Sequence, residues 1–349
     1  MLSILLFPFA FVYGLVTRFR NLLYDLGWKK SYSFLPAVVS VGNLNVGGSG
    51  KTPMIEYLVN LLSEKYSTAI LSRGYGRVTR GFLLAEKHDD ASTIGDEPFQ
   101  FYRKFGNQLS VVVCESRVEG ITKLMKRKPK VQLILLDDAF QHRAVKPLFS
   151  ILLTDFSKPF FKDYLLPRGR MREARSSASR ADVLVVTKCQ NISPDVELEF
   201  KSNLRRCAGP KPVFFTGIGY KAPTAIEGPA KMGRNIVLVT GIANAQPLVD
   251  YVSSHFNLVH HYHFNDHHRY SKEDITLVQK KADVAACILT TEKDLVKLIS
   301  LDFSQVMDRK LWFYLPIETF FLNNGSEFDE LIVRKIESHL KSLPIQNPT

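Results

Sequence analysis

Cysteine is scarce and scattered. Cys114, Cys189, Cys207 and Cys287 are the only four among 349 residues, with no CxxC pair. That excludes a disulfide framework and a cysteine-built zinc site, and it points to a reducing compartment, the cytoplasm. Acidic residues are also short: 34 Asp+Glu against 46 Lys+Arg leave a formal charge of +12. This balance favours a polyanionic partner, whether nucleic acid, an anionic membrane or a phosphorylated substrate, without choosing among them. There is no internal repeat, no low-complexity tract and no apolar run of the roughly 20 residues a spanning helix needs. A hydrophobic content of 45% and a charged content of 23% describe an ordinary globular protein, so disordered, collagen-like and coiled-coil readings fall away. At roughly 150 residues per domain, the length suggests two domains.

What the chain does have begins at its start. Leu2 to Val16 is almost entirely apolar, too short to span a bilayer and without the basic start or small-residue cleavage site of a signal peptide. Through Phe19, Leu22, Leu23, Leu26 and Trp28 the pattern turns amphipathic, with Arg18, Arg20, Lys29 and Lys30 interspersed. Residues 1–30 are therefore expected to form a helix lying in an anionic membrane surface, with a buried core helix as the alternative.

Short runs rich in Val, Ile and Leu recur at Ala37–Val41, Thr68–Leu71, Ser110–Cys114, Gln132–Leu136, Ser150–Leu153 and Val183–Thr187. They lack polar alternation, as strands buried on both faces do. Helix-like stretches between them, such as Pro53–Leu62, predict an α/β fold: a doubly wound parallel sheet of the P-loop NTPase type over 31–206. Gly and Pro dominate 207–235, which reads as a linker or ribbon hinge. Strand candidates Ile236–Thr240, Val259–Phe264, Ala286–Thr290 and Leu311–Leu315 then predict a second, smaller α/β lobe over 236–349.

The strongest local signal is the run Val41-Gly-Asn-Leu-Asn-Val-Gly-Gly-Ser-Gly-Lys-Thr-Pro53, which follows a buried strand and precedes an amphipathic helix. This is the setting of a phosphate-binding loop, whose backbone N–H groups and helix N-terminus surround phosphate oxygens. Asn45, Val46, Gly47, Gly48, Ser49, Gly50, Lys51 and Thr52 are the candidate nucleotide contacts. Lys51 would reach the β- and γ-phosphates and Thr52 would help hold Mg²⁺. Asn45 stands where the generic pattern has Gly, and Asn tolerates positive φ better than most residues. A strand ending in Asp137-Asp138 supplies metal-binding carboxylates at the sheet edge. Val186-Thr187-Lys188-Cys189-Gln190 begins like a guanine-reading motif but has Gln190 where Asp belongs, which disfavours GTP.

These segments, with Ser72-Arg73-Gly74-Tyr75-Gly76, Gly95-Asp96-Glu97-Pro98, Asp137-Asp138-Ala139-Phe140-Gln141-His142-Arg143, Pro167-Arg168-Gly169-Arg170-Met171-Arg172-Glu173 and Thr291-Glu292-Lys293-Asp294, together resemble the lipid A 4′-kinase family of Gram-negative bacteria. The motifs run in order from the apolar start to about residue 315, with Ala139 where the family usually has Gly. The resemblance implies transfer of the ATP γ-phosphoryl, with Mg²⁺, to the 4′-hydroxyl of a tetraacyl disaccharide 1-phosphate at the cytoplasmic face of the inner membrane. Its partners would be the lipid A disaccharide precursor and the anionic membrane surface, with no nucleic acid and no obligate protein partner.

The residues read on their own leave Asp96 divided between a helix N-cap and a catalytic base. The resemblance makes it the general base for the sugar hydroxyl, with His267 of Phe264-Asn265-Asp266-His267 in support. It places Arg172 and Glu173 at the lipid-substrate site and, more loosely, Arg73 and Arg77 at the 1-phosphate. Gln141 and His142, following the paired Asp, are candidates for metal and phosphate contact. Six of nine histidines crowd 255–268, but no carboxylate or Cys spacing completes a zinc site. Ser271 with Asp274 reads as a capping box. The competing enzyme reading is a P-loop ATPase or GTPase acting in assembly or metal insertion.

Overall fold

The computed structural model describes residues 6–228, 231–266, 268–282, 287–299 and 306–343. Helix α1 (Phe7–Asp25) is followed by β1 (Ala37–Asn43), α2 (Lys51–Leu62), β2 (Thr68–Ser72), β3 (Leu83–Leu84), α3 (Ala91–Ile94) and α4 (Asp96–Phe105). Next come β4 (Ser110–Val113), α5 (Arg117–Arg127), β5 (Leu133–Asp137), β6 (Phe149–Asp155), β7 (Val183–Thr187), α6 (Pro194–Ala208) and β8 (Val213–Tyr220). A second series comprises β9 (Thr224–Ala225), β10 (Asn235–Thr240), α7 (Gln246–His255), β11 (Asn257–His263), α8 (Lys272–Ala282), β12 (Cys287–Thr291), α9 (Glu292–Leu298) and β13 (Trp312–Leu315). The chain then adds β14 (Ile317–Phe321) and α10 (Gly325–Ser342).

The large sheet has the order β14-β8-β7-β6-β1-β5-β2-β4-β3. It is parallel from β8 to β4, with antiparallel strands at both edges. All seven residues of β1 are buried, because helices cover both faces of the sheet. Ala37, Val39 and Val41 pack with Met54 and Leu58 of α2, Phe101 of α4, and Phe328 and Ile332 of α10. Val38 points the other way, toward Ile121 and Leu124 of α5. The loop after β1 opens where the strands on either side diverge, the crevice in which open α/β sheets bind ligands.

The small sheet, β11-β10-β12-β13-β9, is parallel apart from β9. The boundaries expected from the sequence need correction. The stretch 207–235 is not only a linker, since β8 lies within it and pairs parallel with β7, burying Phe214 and Phe215. Residues expected in the small lobe return to the large one: β14 pairs with β8, and α10 buries Phe328, Ile332 and Ile336 in the large-lobe core. Each such side chain contributes about 2 kcal/mol of apolar burial. The small lobe thus spans 224–315, and Lys221 N–H donates to Pro316 O (2.9 Å) where the outgoing and returning chain meet. The Ser271–Asp274 capping box is formed reciprocally at 2.9 and 3.1 Å.

Helix α1 turns Ala10, Gly14 and Thr17 toward the protein and leaves Phe9, Phe11, Val12, Val16 and Phe19 exposed. A Cβ on Gly14 would lie 2.8 Å from Leu165 Cδ1, so the helix seats closely against the 160s loop. Among the described residues no helix is long and apolar enough to cross a membrane.

Candidate active site

Gly47 (φ +110°) and Gly50 (φ +79°) give the loop after β1 the left-handed turns that deliver Lys51 and Thr52 to the start of α2. Asn45 keeps negative φ, so the expected left-handed role is not the one it plays. Its carboxamide instead donates to Asp163 Oδ2 (2.7 Å), while Asn43 Nδ2 donates to Asn45 O (2.7 Å). Val46 N–H donates to Arg170 O (2.8 Å), and the Thr187 hydroxyl donates to Ser49 O (2.9 Å). Lys188 is held at φ +59°, a conformation that costs a non-glycine residue about 1 kcal/mol, and its ammonium reaches Gly48 O and Asp155 Oδ2 (2.8 Å). In the sequence Thr187-Lys188 shows only as part of an incomplete base-reading motif, and Asp163 carries no signal at all.

Strand β5 delivers the paired carboxylates. Asp137 is buried, and the Ser72 hydroxyl donates to its Oδ2 (3.1 Å) while its Oδ1 has no hydrogen-bond partner. Burial, with the charges of Glu97 and Asp138, pushes its carboxyl up to about 7. Asp138 adopts φ +46° and lies 3.9 Å from Lys51 Nζ. Despite burial, Lys51 and two Arg172 hydrogen bonds (2.8 and 3.1 Å) hold its carboxyl below the usual range. Arg172 Nη2 also donates to Asn43 O (2.8 Å), which ties the phosphate loop to the Asp pair. A buried carboxylate oxygen without a partner, beside a lysine and near a helix-start hydroxyl, is a donor set suited to a hard cation completed by phosphate and water oxygens.

The arginine-rich loop is cross-linked rather than simply solvated. Arg170 pairs with Asp163 (3.0 Å), Arg175 donates to Asp163 O (2.8 Å), and Arg180 pairs with Glu173 (2.6 Å). Glu173, expected at the substrate, is 1% exposed and lies between Arg180 and Arg20 (4.0 Å). It therefore anchors the loop and has no surface to offer a ligand. Helix α1 reaches the same loop through Tyr13, whose hydroxyl donates to Arg172 O (3.0 Å).

Asp96 is the first residue of α4 and half-buried, with Gly95 (φ +95°) as the cap, so the N-cap reading does not hold. A Cβ on Gly95 would meet Tyr75 O at 2.9 Å, and one on Gly74 would meet Ile94 O at 2.9 Å. The Ser-Arg-Gly-Tyr-Gly and Gly-Asp-Glu-Pro segments thus pack backbone against backbone. Thr52 Oγ1 donates to Glu97 Oε1 at 3.5 Å, so α2 and α4 begin side by side.

Arg73 stays close enough to Arg117 and His142 for its charge to act on both. Arg77 does not join them: its side chain is 2% exposed and bonds Glu115 (2.5 Å) and Gly81 O (2.6 Å), closing its own loop. Burial and then the Arg117 charge bring His142 down to about 4, so it is neutral at pH 7. Gln141 donates to Asn43 O (2.9 Å), leaving its buried Oε1 without a partner. In the histidine-rich stretch, His261 Nε2 and His263 Nδ1 both lie against the Thr240 hydroxyl (2.9 and 3.2 Å). His267 lies outside the described residues.

Residues 2–337 match the family described as tetraacyldisaccharide-1-P 4′-kinase. The chain is 43% identical over 346 residues to the tetraacyldisaccharide 4′-kinase of Flavobacterium johnsoniae, covering 97% of this chain and 98% of that one. It is 37% identical over 360 residues to the protein of the same name from Bacteroides thetaiotaomicron (97% and 94% covered). Among solved structures it is similar to the apo form of LpxK from Aquifex aeolicus in complex with ATP, with a TM-score of 0.77 and 28% identity over 96% of this chain and 100% of that one.

Proposed function

Since the chain belongs to the tetraacyldisaccharide-1-P 4′-kinase family, and is thereby a kinase of lipid A biosynthesis, we propose that the crevice above β1 and β5 binds ATP and passes its γ-phosphoryl to the 4′-hydroxyl of tetraacyl disaccharide 1-phosphate. The observation that carries this reading is the shared origin of α2 and α4: the Thr52–Glu97 bond sets Asp96 beside the helix that begins with Lys51. The glycine turns leave the helix start open toward phosphate oxygens, and Lys51 balances charge that builds on the transferred group. Asp96 accepts the proton of the sugar hydroxyl as its oxygen bonds the γ-phosphorus and the bond to the bridging β–γ oxygen breaks, releasing ADP. His267 supports Asp96 in this reading, as the family resemblance implies.

Thr52 and the unpartnered oxygen of Asp137 are the residues suited to hold Mg²⁺, which when bound neutralises phosphate charge. Asp138 is the lesser candidate because Arg172 and Lys51 already engage it. Arg73 and His142 form the substrate side with Arg172, whereas Arg77 and Glu173 shape loops. The exposed apolar face of α1, flanked by Arg18 and Arg20, supports a peripheral position on the cytoplasmic face of the inner membrane, where the acyl chains of the acceptor lie.

Phosphoryl transfer from γ-labelled ATP to tetraacyl disaccharide 1-phosphate in detergent micelles tests the reading. The native chain labels the lipid, and Asp96→Asn lowers kcat by about 10²–10⁴-fold, the usual worth of a positioned base. Phosphate released to water without labelled lipid, or an unimpaired Asp96→Asn variant, would sink it.

A further inference from the structure

At the opposite end of α4 from Asp96, one lysine is shared by carboxylates of both lobes. Glu56 on α2 and Glu292 at the start of α9 are 5% and 8% exposed. Lys104, in the last turn of α4, donates to Glu56 Oε2 at 2.6 Å and to Glu292 Oε1 at 3.0 Å. Gln100, one turn earlier on the same face, donates to Glu56 Oε1 at 3.0 Å. The other Glu292 oxygen accepts from Ile317 N–H (3.3 Å), the first residue after the chain re-enters the large sheet.

Three elements meet here, and two of them begin at the candidate site. Helix α2 begins with Lys51 and Thr52, and α4 begins with Asp96 and Glu97. Helix α9 belongs to the small lobe, and Lys293, directly after Glu292, bonds Asp266 (2.7 Å), the residue before His267 in the sequence. Helices are rigid over two or three turns, so a clamp at one end fixes the position of the other. We infer that Lys104 is a positioning residue for phosphoryl transfer: by bridging Glu56 and Glu292 it sets the Asp96 end of α4 against the Lys51 end of α2 and holds the small lobe in register with both. This inference rests on the proposed role of Asp96.

The charge balance makes the device asymmetric. Burial raises the Glu56 carboxyl, Lys104 opposes that rise, and the neighbouring Glu292 adds to it. Without the ammonium, two like charges from different lobes face each other out of water and push apart. The phosphate loop is held elsewhere, by Asp163, Arg170, Thr187 and Lys188. Loss of the clamp therefore disturbs the approach of Asp96 and the small lobe more than nucleotide binding.

The test measures kcat, the KM for ATP and the melting temperature for Lys104→Met, Lys104→Arg, Glu292→Gln and Asp96→Asn in the lipid-labelling assay. Misplacement by about 1 Å predicts a kcat about 10–100-fold lower in Lys104→Met, with the KM for ATP within about twofold of native because the loop anchors are untouched. Lys104→Arg restores most of the rate, since a guanidinium also bridges two carboxylates. Glu292→Gln, which keeps the shape and lifts one charge, lowers kcat severalfold and decides the matter if Lys104→Met fails to fold. A folded Lys104→Met with native kcat, a raised KM at unchanged kcat, a Lys104→Arg as damaged as Lys104→Met, or a native Glu292→Gln would overturn the inference. If Asp96→Asn is inactive while the Lys104 variants are normal, the clamp idea fails and the role of Asp96 stands. An active Asp96→Asn instead removes the premise.

Discussion

Gly42, the penultimate residue of β1, offers a perturbation whose size follows from the coordinates. A Cβ built there would lie 2.7 Å from Phe140 Cβ, 2.8 Å from Phe140 N and 3.3 Å from Phe140 Cα. Ordinary carbon contacts sit near 3.5–4.0 Å, so in Gly42→Ala the turn after β5 must retreat by about 1 Å. That turn carries Asp138, follows directly on Asp137 and is tied to β1 through Ala139 N–H and Val41 O (3.3 Å). Two of the close atoms belong to backbone, so no side-chain rotation relieves the overlap. Overpacking of this kind costs about 1–3 kcal/mol of stability. Displacing the paired carboxylates from Lys51 by about 1 Å lowers kcat by as much as about 100-fold. Thermal unfolding and labelled-phosphate transfer measure the two effects on one preparation. A Gly42→Ala protein with native kcat and native melting temperature would refute the reasoning, because it would show that the turn yields without moving the Asp pair.

Other consequences are equally concrete. Arg172→Lys loses the forked contact to Asp138 and Asn43; with charged hydrogen bonds worth about 1.5–3 kcal/mol each, kcat falls at least about tenfold, and equal activity would show that only the positive charge matters. His142 has its folded pKa near 4 against an ordinary value of about 6.5, so on acidification the unfolded chain takes up the proton first. The native state consequently loses stability as pH falls from about 6.5 toward 4, by about 2 kcal/mol at pH 5, and His142→Gln shows a correspondingly smaller loss between pH 8 and pH 5 in denaturant melts. Phe9 and Phe19 are 65% and 61% exposed, and replacing both with Glu reduces co-sedimentation with anionic vesicles by at least about tenfold. Unchanged sedimentation would assign the apolar face of α1 some other role.

Much of the large sheet was legible because its strands are buried on both faces, so unbroken apolar runs such as 183–187 coincide with real strands. The phosphate loop and the Asp pair were legible for a different reason: few residue types tolerate those turns and charges. Lobe membership was not. Periodicity in 325–342 announces an amphipathic helix but cannot say that Phe328 and Ile332 pack beside Val39 and Met54. Gly and Pro around β8 likewise hid a strand whose buried Phe214 and Phe215 owe their place to β7 and its neighbours. Among site residues, the family resemblance implies substrate contact for Arg77 and Glu173. Only the fold decides that one is bonded to Glu115 and the other enclosed between arginines. Lys104 carried no motif at all, because its significance lies in two glutamates far from it in sequence.

The return of β14 and α10 to the large sheet has a bearing on biosynthesis. Residues 224–315 form a contiguous unit that has everything its own sheet needs once residue 315 has been made. The earlier, nucleotide-binding part must wait: its edge strand and the helix covering Val39 and Met54 come from 317–342, which leave the ribosome only after that unit. During translation the phosphate loop is thus made early but supported late, with its core face open to solvent for the length of an entire inserted lobe. Nascent chains arrested before residue 317 should expose that face to chaperones while the small lobe already resists protease.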